Sequence, residues 1–241
     1  RFHIEAELVA SLTHPNIIPI FEMGEDSDCY YQVIQVVKGI DLEKEIKRHT
    51  HHPIPQKRTL PVLNILDIIS EILDALGYSH RQGVIHRDVK PANILINSDT
   101  KRPLLVDFGI AATIQGEMQD EGAIVGSPLY LAPERIRSSV QDPRSDIYSL
   151  GIVLYKSFVP ELPLVDHSLK GVLMKKMNDP DNLFSCKPSQ CSSFVSKDLE
   201  SIILKAIDSS IERRYQNAEE FQTDVKKYRD SYSMDRNKIK S

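Results

Sequence analysis

Residues 86–109 constrain this chain more than any other stretch. His86-Arg87-Asp88-Val89-Lys90-Pro91-Ala92-Asn93 is a loop crowded with ionisable and amide side chains, and Asp107-Phe108-Gly109 is a second. Between them lie two short apolar runs, Ile94-Leu95-Ile96 and Leu104-Leu105-Val106, joined by a polar stretch. Apolar runs bounded by turn residues read as strands, and two such runs across a short connection read as a hairpin. A hairpin returns the chain to where it left, so Asp107 comes back to the place occupied by Asn93. One loop can then supply a carboxylate (Asp88), a cation (Lys90) and an amide oxygen (Asn93), with a second carboxylate (Asp107) returned beside them by the hairpin. Asn93 and Asp107 offer oxygen donors of the kind that suit hard Mg2+.

The rest of the chain reads as one alternation of elements without repeats. Residues 2–12 have helical spacing, with Phe2, Glu5, Leu8, Val9 and Leu12 as candidates for one side. His14-Pro15-Asn16 ends that helix. Residues 17–21 and 30–34 read as two short strands, and residues 36–39 as a connector before a short helix that starts at Asp41. Residues 47–60 form a loop containing Pro and His. A helix then starts near Pro61, a favoured first-turn residue. Leu63, Leu66, Ile69, Leu73 and Leu76 form its buried stripe, and Gly83 suits its stop. The segment 152–158 is apolar nearly all round, as in a helix inside a core. Helical patterns recur at about 168–178, 195–208 and 217–229, and the residues from Asp230 onward read as a frayed polar end.

The pattern H-R-D-x-K-x-x-N at 86–93, D-F-G at 107–109 and A-P-E at 132–134 resembles that of serine/threonine protein kinases, in flavour the bacterial type. The likeness extends over roughly residues 1–230. It implies an α+β, two-lobed fold with a mostly helical large lobe, and transfer of the ATP γ-phosphoryl group to Ser or Thr hydroxyls of proteins. Phosphoryl transfer needs positioning and charge neutralisation more than covalent help. By this resemblance Asp88 orients the acceptor hydroxyl, Lys90 reaches the transferred phosphate, and Asn93 and Asp107 hold magnesium. ATP and Mg2+ are the implied cofactors. Ile34 stands at the gatekeeper position, Gln35 and Val37 offer hinge backbone groups to adenine, Asp41 is placed for ribose, and Leu95 for the adenine floor. Ala92 replaces an acidic residue found in some relatives, so strong selection for Arg near the acceptor is not implied.

Further positions carry supporting roles in the family. Glu5 corresponds to the helix carboxylate that pairs with a strand lysine, with Glu7 one register away. His86 and Phe108 stack with Val9 and Ile20 as an internal spine. Asp146 hydrogen-bonds the catalytic-loop backbone, and Arg214 pairs with Glu134. Ser127, where relatives usually have Thr, bridges Asp88 and Lys90 or is a plain turn serine. Arg87 goes with switching by a phosphate on the loop that follows D-F-G. Residues 114–126 contain no Ser, Thr or Tyr, but they do contain Glu117, Asp120 and Glu121. One of these carboxylates either pairs with Arg87 in place of a phosphate or belongs to a solvated acidic loop.

One family feature is missing. No G-x-G-x-x-G precedes the catalytic loop, and no strand lysine precedes Glu5. The chain therefore reads as truncated, with residues 1–38 the remnant of the small lobe, 39–230 the large lobe and 231–241 a polar tail. Residues 1–241 alone are expected to bind ATP weakly and turn over negligibly. Two alternatives stay open: a non-catalytic scaffold on the kinase fold, and a small-molecule kinase.

Composition narrows the partners. A net charge of −4 supplies no basic footprint for nucleic acid. No apolar run approaches the ~20 residues that span a bilayer, so a cytoplasmic location is expected, with membrane tethering of a longer parent left open. Cys29, Cys186 and Cys191 lack a metal-type spacing and read as free thiols in a reducing compartment. His49, His51 and His52 read as a solvated loop, since nothing nearby completes a ligand set.

Overall fold

The computed structural model describes residues 7–26, 29–54, 58–108, 128–137 and 141–240. Glu5, Ser127 and the acidic residues Glu117, Asp120 and Glu121 lie outside these. Two small sheets sit on a helical body. Strands β1 (Ile20–Asp26) and β2 (Cys29–Ile34) pair antiparallel, from Ile20 opposite Ile34 to Asp26 opposite Cys29. Strands β3 (Gly39–Asp41), β4 (Ile94–Asn97) and β5 (Pro103–Leu105) form an antiparallel sheet in that order.

Helix α1 (Leu42–Thr50) starts at Asp41, whose Oδ1 accepts the Lys44 backbone N–H at 2.8 Å. Asp is a favoured N-cap because its carboxylate satisfies a donor that has no partner within the helix. Helix α2 (Val62–Arg81) follows Pro61 and stops before Gly83, where φ is 78° and a side chain would strain the backbone. Its buried face is wider than the expected stripe: Ile65 and Ile72 join Leu66, Ile69, Leu73 and Leu76, while Leu63 is only half-buried. Helices α3 (Pro133–Arg137) and α4 (Arg144–Phe158) follow. After them come α5 (Leu169–Asn178), α6 (Pro188–Cys191), α7 (Lys197–Ala206) and α8 (Ala218–Lys240). Ser168 and Ser196 cap α5 and α7 through their hydroxyl oxygens.

Helix α4 forms the centre. Every residue from Ser145 to Phe158 except Lys156 is buried. Gly151 faces α7 so closely that an added Cβ would come within 2.8 Å of the Ala206 Cβ, so only glycine permits this approach. Helix α8 lies against α2, where Gln222 donates to the Ser70 carbonyl at 2.8 Å.

Four expectations need correction. The first strand begins at Ile20, not residue 17. Ile17 instead makes an isolated parallel bridge to Leu105, and Ile18 donates to the Leu105 carbonyl, so this apolar pair is buried against the large-lobe sheet. Helix α1 runs through Thr50 into what was read as loop. Helix α8 continues to Lys240 instead of fraying at Asp230. Cys186 and Cys191 are not free thiols: they form a disulfide across a separation of five residues, because α6 turns the chain back within one helical turn. Among the described residues no group of His, Cys, Asp or Glu could hold a metal by itself, and no helix is long and apolar enough to cross a membrane.

Candidate active site

The catalytic loop hangs from α4. Asp146 is buried in the first turn of that helix and accepts the backbone N–H groups of His86 and Arg87, each at 2.8 Å. Its Oδ2 also lies 2.8 Å from His80 Nε2 on α2. Burial alone would raise this carboxyl, but the His80 bond, the neighbouring imidazoles and the backbone donors outweigh it and hold the group below the usual carboxylate range.

His86 closes the loop from below. It is wholly buried, which pushes its imidazole below the usual histidine value and keeps it neutral. Its Nε2 lies 3.0 Å from the Val106 carbonyl, and its Nδ1 accepts the Asp88 N–H at 3.3 Å. A carbonyl can only accept and an amide N–H can only donate, so the proton sits on Nε2. The ring also meets Phe108, with centroids 4.6 Å apart. Val9 is buried in the same core and Ile20 packs against it.

The hairpin then brings the two motifs together. Ile94 pairs with Leu105, and Val106 donates to the Asn93 carbonyl at 3.0 Å, so Asp107 is one residue beyond a fixed contact with Asn93. Arg87 (φ 68°) and Asp107 (φ 57°) both occupy the left-handed region, which non-glycine residues adopt at a cost. That strain sits at the two ends of the candidate site.

Asp88 is the focus. Its Oδ2 accepts from Lys90 Nζ at 2.6 Å and from Asn93 Nδ2 at 2.9 Å, while Oδ1 is bonded to no described residue. Asn93 Nδ2 also donates to the Asp88 carbonyl at 2.9 Å. With its amide nitrogen so engaged, Asn93 has its carbonyl oxygen left for a cation. Asp107 presents an exposed carboxylate. Two oxygen ligands completed by phosphate oxygens and water are the donor set magnesium accepts, so these residues fit the implied ion.

The nucleotide-side residues surround this loop less tightly. Ile34 and Val37 are half-buried, and the Gln35 N–H donates to the Pro19 carbonyl at 3.0 Å. Leu95 lies opposite Asp41 in the β3–β4 register. Asp41 is not standing clear for a ribose. Both its oxygens are engaged by Lys44, through the backbone N–H and through Nζ at 2.6 Å.

A buried ion pair ties the A-P-E segment to the helices. Arg214, 1% exposed, donates to both oxygens of Glu134 at 2.8 and 3.0 Å. Burial works against the Glu134 charge, but the Arg214 bonds prevail and hold the carboxyl below its ordinary value. Ser145 adds a third bond to the same carboxylate at 2.8 Å.

Several participants carried no sequence signal. The Arg87 guanidinium donates to Gln141, and Arg135 donates to the Arg87 carbonyl. Lys176 on α5 is fully buried; its Nζ donates to the carbonyls of Leu129 and Leu131 at 2.5 and 2.6 Å, and burial pushes it well below the usual lysine value. The only available clue was its spacing of four from buried Val172, which puts a lysine on the inner face of α5.

A strained loop held by a buried helix carboxylate, with a hairpin returning a second carboxylate beside it, is the arrangement expected from the motif resemblance to protein kinases. The chain belongs to that family, matching the protein kinase domain over residues 1–225. It is 36% identical over 231 residues to serine/threonine-protein kinase PknB of Mycobacterium leprae, an alignment covering 93% of this chain and 35% of the relative. It is 33% identical over 228 residues to serine/threonine-protein kinase PrkC of Bacillus subtilis, covering 94% of this chain and 33% of that one. The crystal structure of the Mycobacterium tuberculosis PknI kinase domain superposes with a TM-score of 0.73 at 28% identity, over 94% of this chain and 77% of that domain. The chain thus spans about a third of the length of these full-length relatives.

Proposed function

We propose that this chain is the greater part of the catalytic domain of a protein serine/threonine kinase that uses MgATP. The observation that carries the reading is Asp88: one carboxylate oxygen is held by Lys90 and Asn93, and the other is bonded to no described residue. An acceptor Ser or Thr hydroxyl donating to that second oxygen is aimed for attack. Its oxygen forms a bond to the γ-phosphorus as the β–γ bridging bond breaks. ADP leaves, and the hydroxyl proton passes to Asp88. Lys90, now on the carboxylate, carries a positive charge within reach of the transferred group. Asn93 and Asp107 would hold the divalent ion, whose chemistry is to neutralise phosphate charge. Ile34, Gln35, Val37 and Leu95 are proposed to surround the adenosine, and protein substrates with Ser or Thr acceptors are the proposed partners.

The test is transfer of labelled phosphate from ATP to a generic protein substrate by the chain joined to its native upstream coding region. Asp88→Asn should lower turnover about 10²–10⁴-fold, the usual contribution of positioned acid–base groups. Turnover unchanged in that variant would overturn the assignment. Residues 1–241 alone, with no phosphate-covering loop in their sequence, should bind MgATP weakly. Tight binding by calorimetry would contradict that.

A further inference from the structure

A second cleft lies behind the three-stranded sheet. It has a volume of about 900 Å³, and none of Asp88, Lys90, Asn93 or Asp107 lines it. Ile40 and Ile96 pair across β3 and β4 and both face it. Side chains alternate along a strand, so the next pair, Asp41 and Leu95, faces the opposite side, toward the nucleotide-side residues. Leu60 and Ile68 complete an apolar floor.

The rim is charged, and its two sides differ in how they are satisfied. The acids all have internal partners. Asp67 accepts from Arg229 at 2.6 Å, Glu71 from Asn16 at 2.7 Å, and Glu45 from Arg48 at 3.2 Å. Asn16 is buried and also donates to the Pro103 carbonyl at 2.8 Å, which braces α2 against β5. The cations of the β4–β5 turn have no such partners. Arg102 has no ion pair or side-chain hydrogen bond among the described residues, and Lys101 Nζ reaches only the Ser98 carbonyl, at 2.7 Å. The turn that presents them is well fixed: Asn97 Oδ1 accepts from the N–H groups of Asp99 and Thr100 at 2.8 and 2.9 Å.

We propose that this rear cleft docks an acidic peptide segment of a partner protein, with an apolar side chain on the floor and carboxylates against Lys101 and Arg102. The volume exceeds what one side chain fills, and an apolar centre with a polar rim is the anatomy of a protein contact. A small inorganic anion would leave the floor wet. A flat anionic membrane would bring like charge against Glu45, Asp67 and Glu71, whereas a peptide can place its acids on the turn alone. The site requires no catalytic turnover, so it stands or falls separately from the kinase reading.

The experiment uses residues 1–241 and two fluorescent pools of short peptides, in which Leu, Ile or Phe is followed by randomised Asp/Glu in one pool and by Lys/Arg in the other. Anisotropy should show about tenfold preference for the acidic pool, the size of a well-placed charge contact. The double variant Lys101→Glu with Arg102→Glu should reverse the preference. Ile68→Ser, on the half-buried face of α2, should abolish acidic-pool binding, with circular dichroism confirming that the variant is folded. Equal binding of both pools, or an unchanged preference in the charge-reversed turn, overturns the proposal. Full acidic-pool binding by Ile68→Ser does so too, because charge alone would then be acting. Stronger retention on phosphatidylserine vesicles than by the acidic pool would overturn it in favour of a membrane surface.

Discussion

The β1–β2 hairpin and the α4 helix represent opposite ways of holding a segment in place. Along α4 nearly every side chain is buried; α7 meets it at Gly151, and the Arg214–Glu134 pair bonds its first turn through the Arg144 carbonyl and the Ser145 hydroxyl. In the hairpin Phe21 is 69% exposed and Tyr31 and Val33 are each 44% exposed, so both faces meet solvent over much of their length. A two-stranded sheet on its own is marginal in water. The residues that would do chemistry are attached to the first kind of structure: Asp146 holds the loop of Asp88, and the β4–β5 hairpin holds Asp107. The residues proposed to hold adenosine at Ile34 and Gln35 depend on the second kind. Among the described residues, the loop of Asp88 is therefore held by buried packing, while the hairpin that leads to Ile34 and Gln35 keeps exposed apolar side chains.

That contrast can be tested hardest where burial is deepest. Arg214→Met should destabilise the chain by about 3–5 kcal/mol, since it leaves the half-buried Glu134 carboxylate without its cation. Urea unfolding measures this, and a change under about 1 kcal/mol would show that the pair is not anchoring the A-P-E segment. Asp146→Ala should cost about 2–4 kcal/mol, because two backbone donors and His80 lose their acceptor. It should also speed amide exchange at His86 and Arg87, while the hairpin amides stay as they are. An equal rise in both places would break the comparison.

Acid should act on the core side first. Burial lowers the His86 value in the folded state, so the unfolded chain binds the extra proton as pH falls below the ordinary histidine value of ~6.5. Stability contributed by neutral His86 is thus present above that pH and is lost as pH falls toward the folded-state value. Thermal unfolding followed from pH 7.5 to 5.5 should show a falling midpoint. A flat midpoint over that window would contradict the assigned neutral ring. The smallest effect belongs to the hairpin: Phe21→Glu should change stability by less than about 0.5 kcal/mol, as for exposed sites generally. Its visible consequence should be less self-association in sedimentation, because an exposed apolar strand is a pairing hazard.

Much of the core side could be read without coordinates. The two apolar runs after Asn93 read as a hairpin and the all-round apolar stretch after Asp146 as a buried helix, and both are found so. The pairing of Glu134 with Arg214 rested on the family resemblance, and no spacing rule would have joined residues 80 positions apart. The hairpin side was read less well. Ile17 and Ile18 have strand composition, but their partner is Leu105, far along the chain, so local pattern assigned them to the wrong sheet.

What the sequence by itself determined is the order of elements and the chemistry gathered at Asp88, Lys90, Asn93 and Asp107. The order follows from local periodicity and turn residues, and the gathering of those four side chains follows from the motifs' resemblance to protein kinases. Only the tertiary structure decided that Asp41 is spent on capping, that Lys176 reaches two carbonyls from inside the core, and that a cleft opens behind Ile96. Each of these depends on which distant backbone and side-chain groups are left needing a partner once the helices have packed. That is settled by burial and hydrogen-bond satisfaction over the whole domain, quantities that no local stretch of sequence contains.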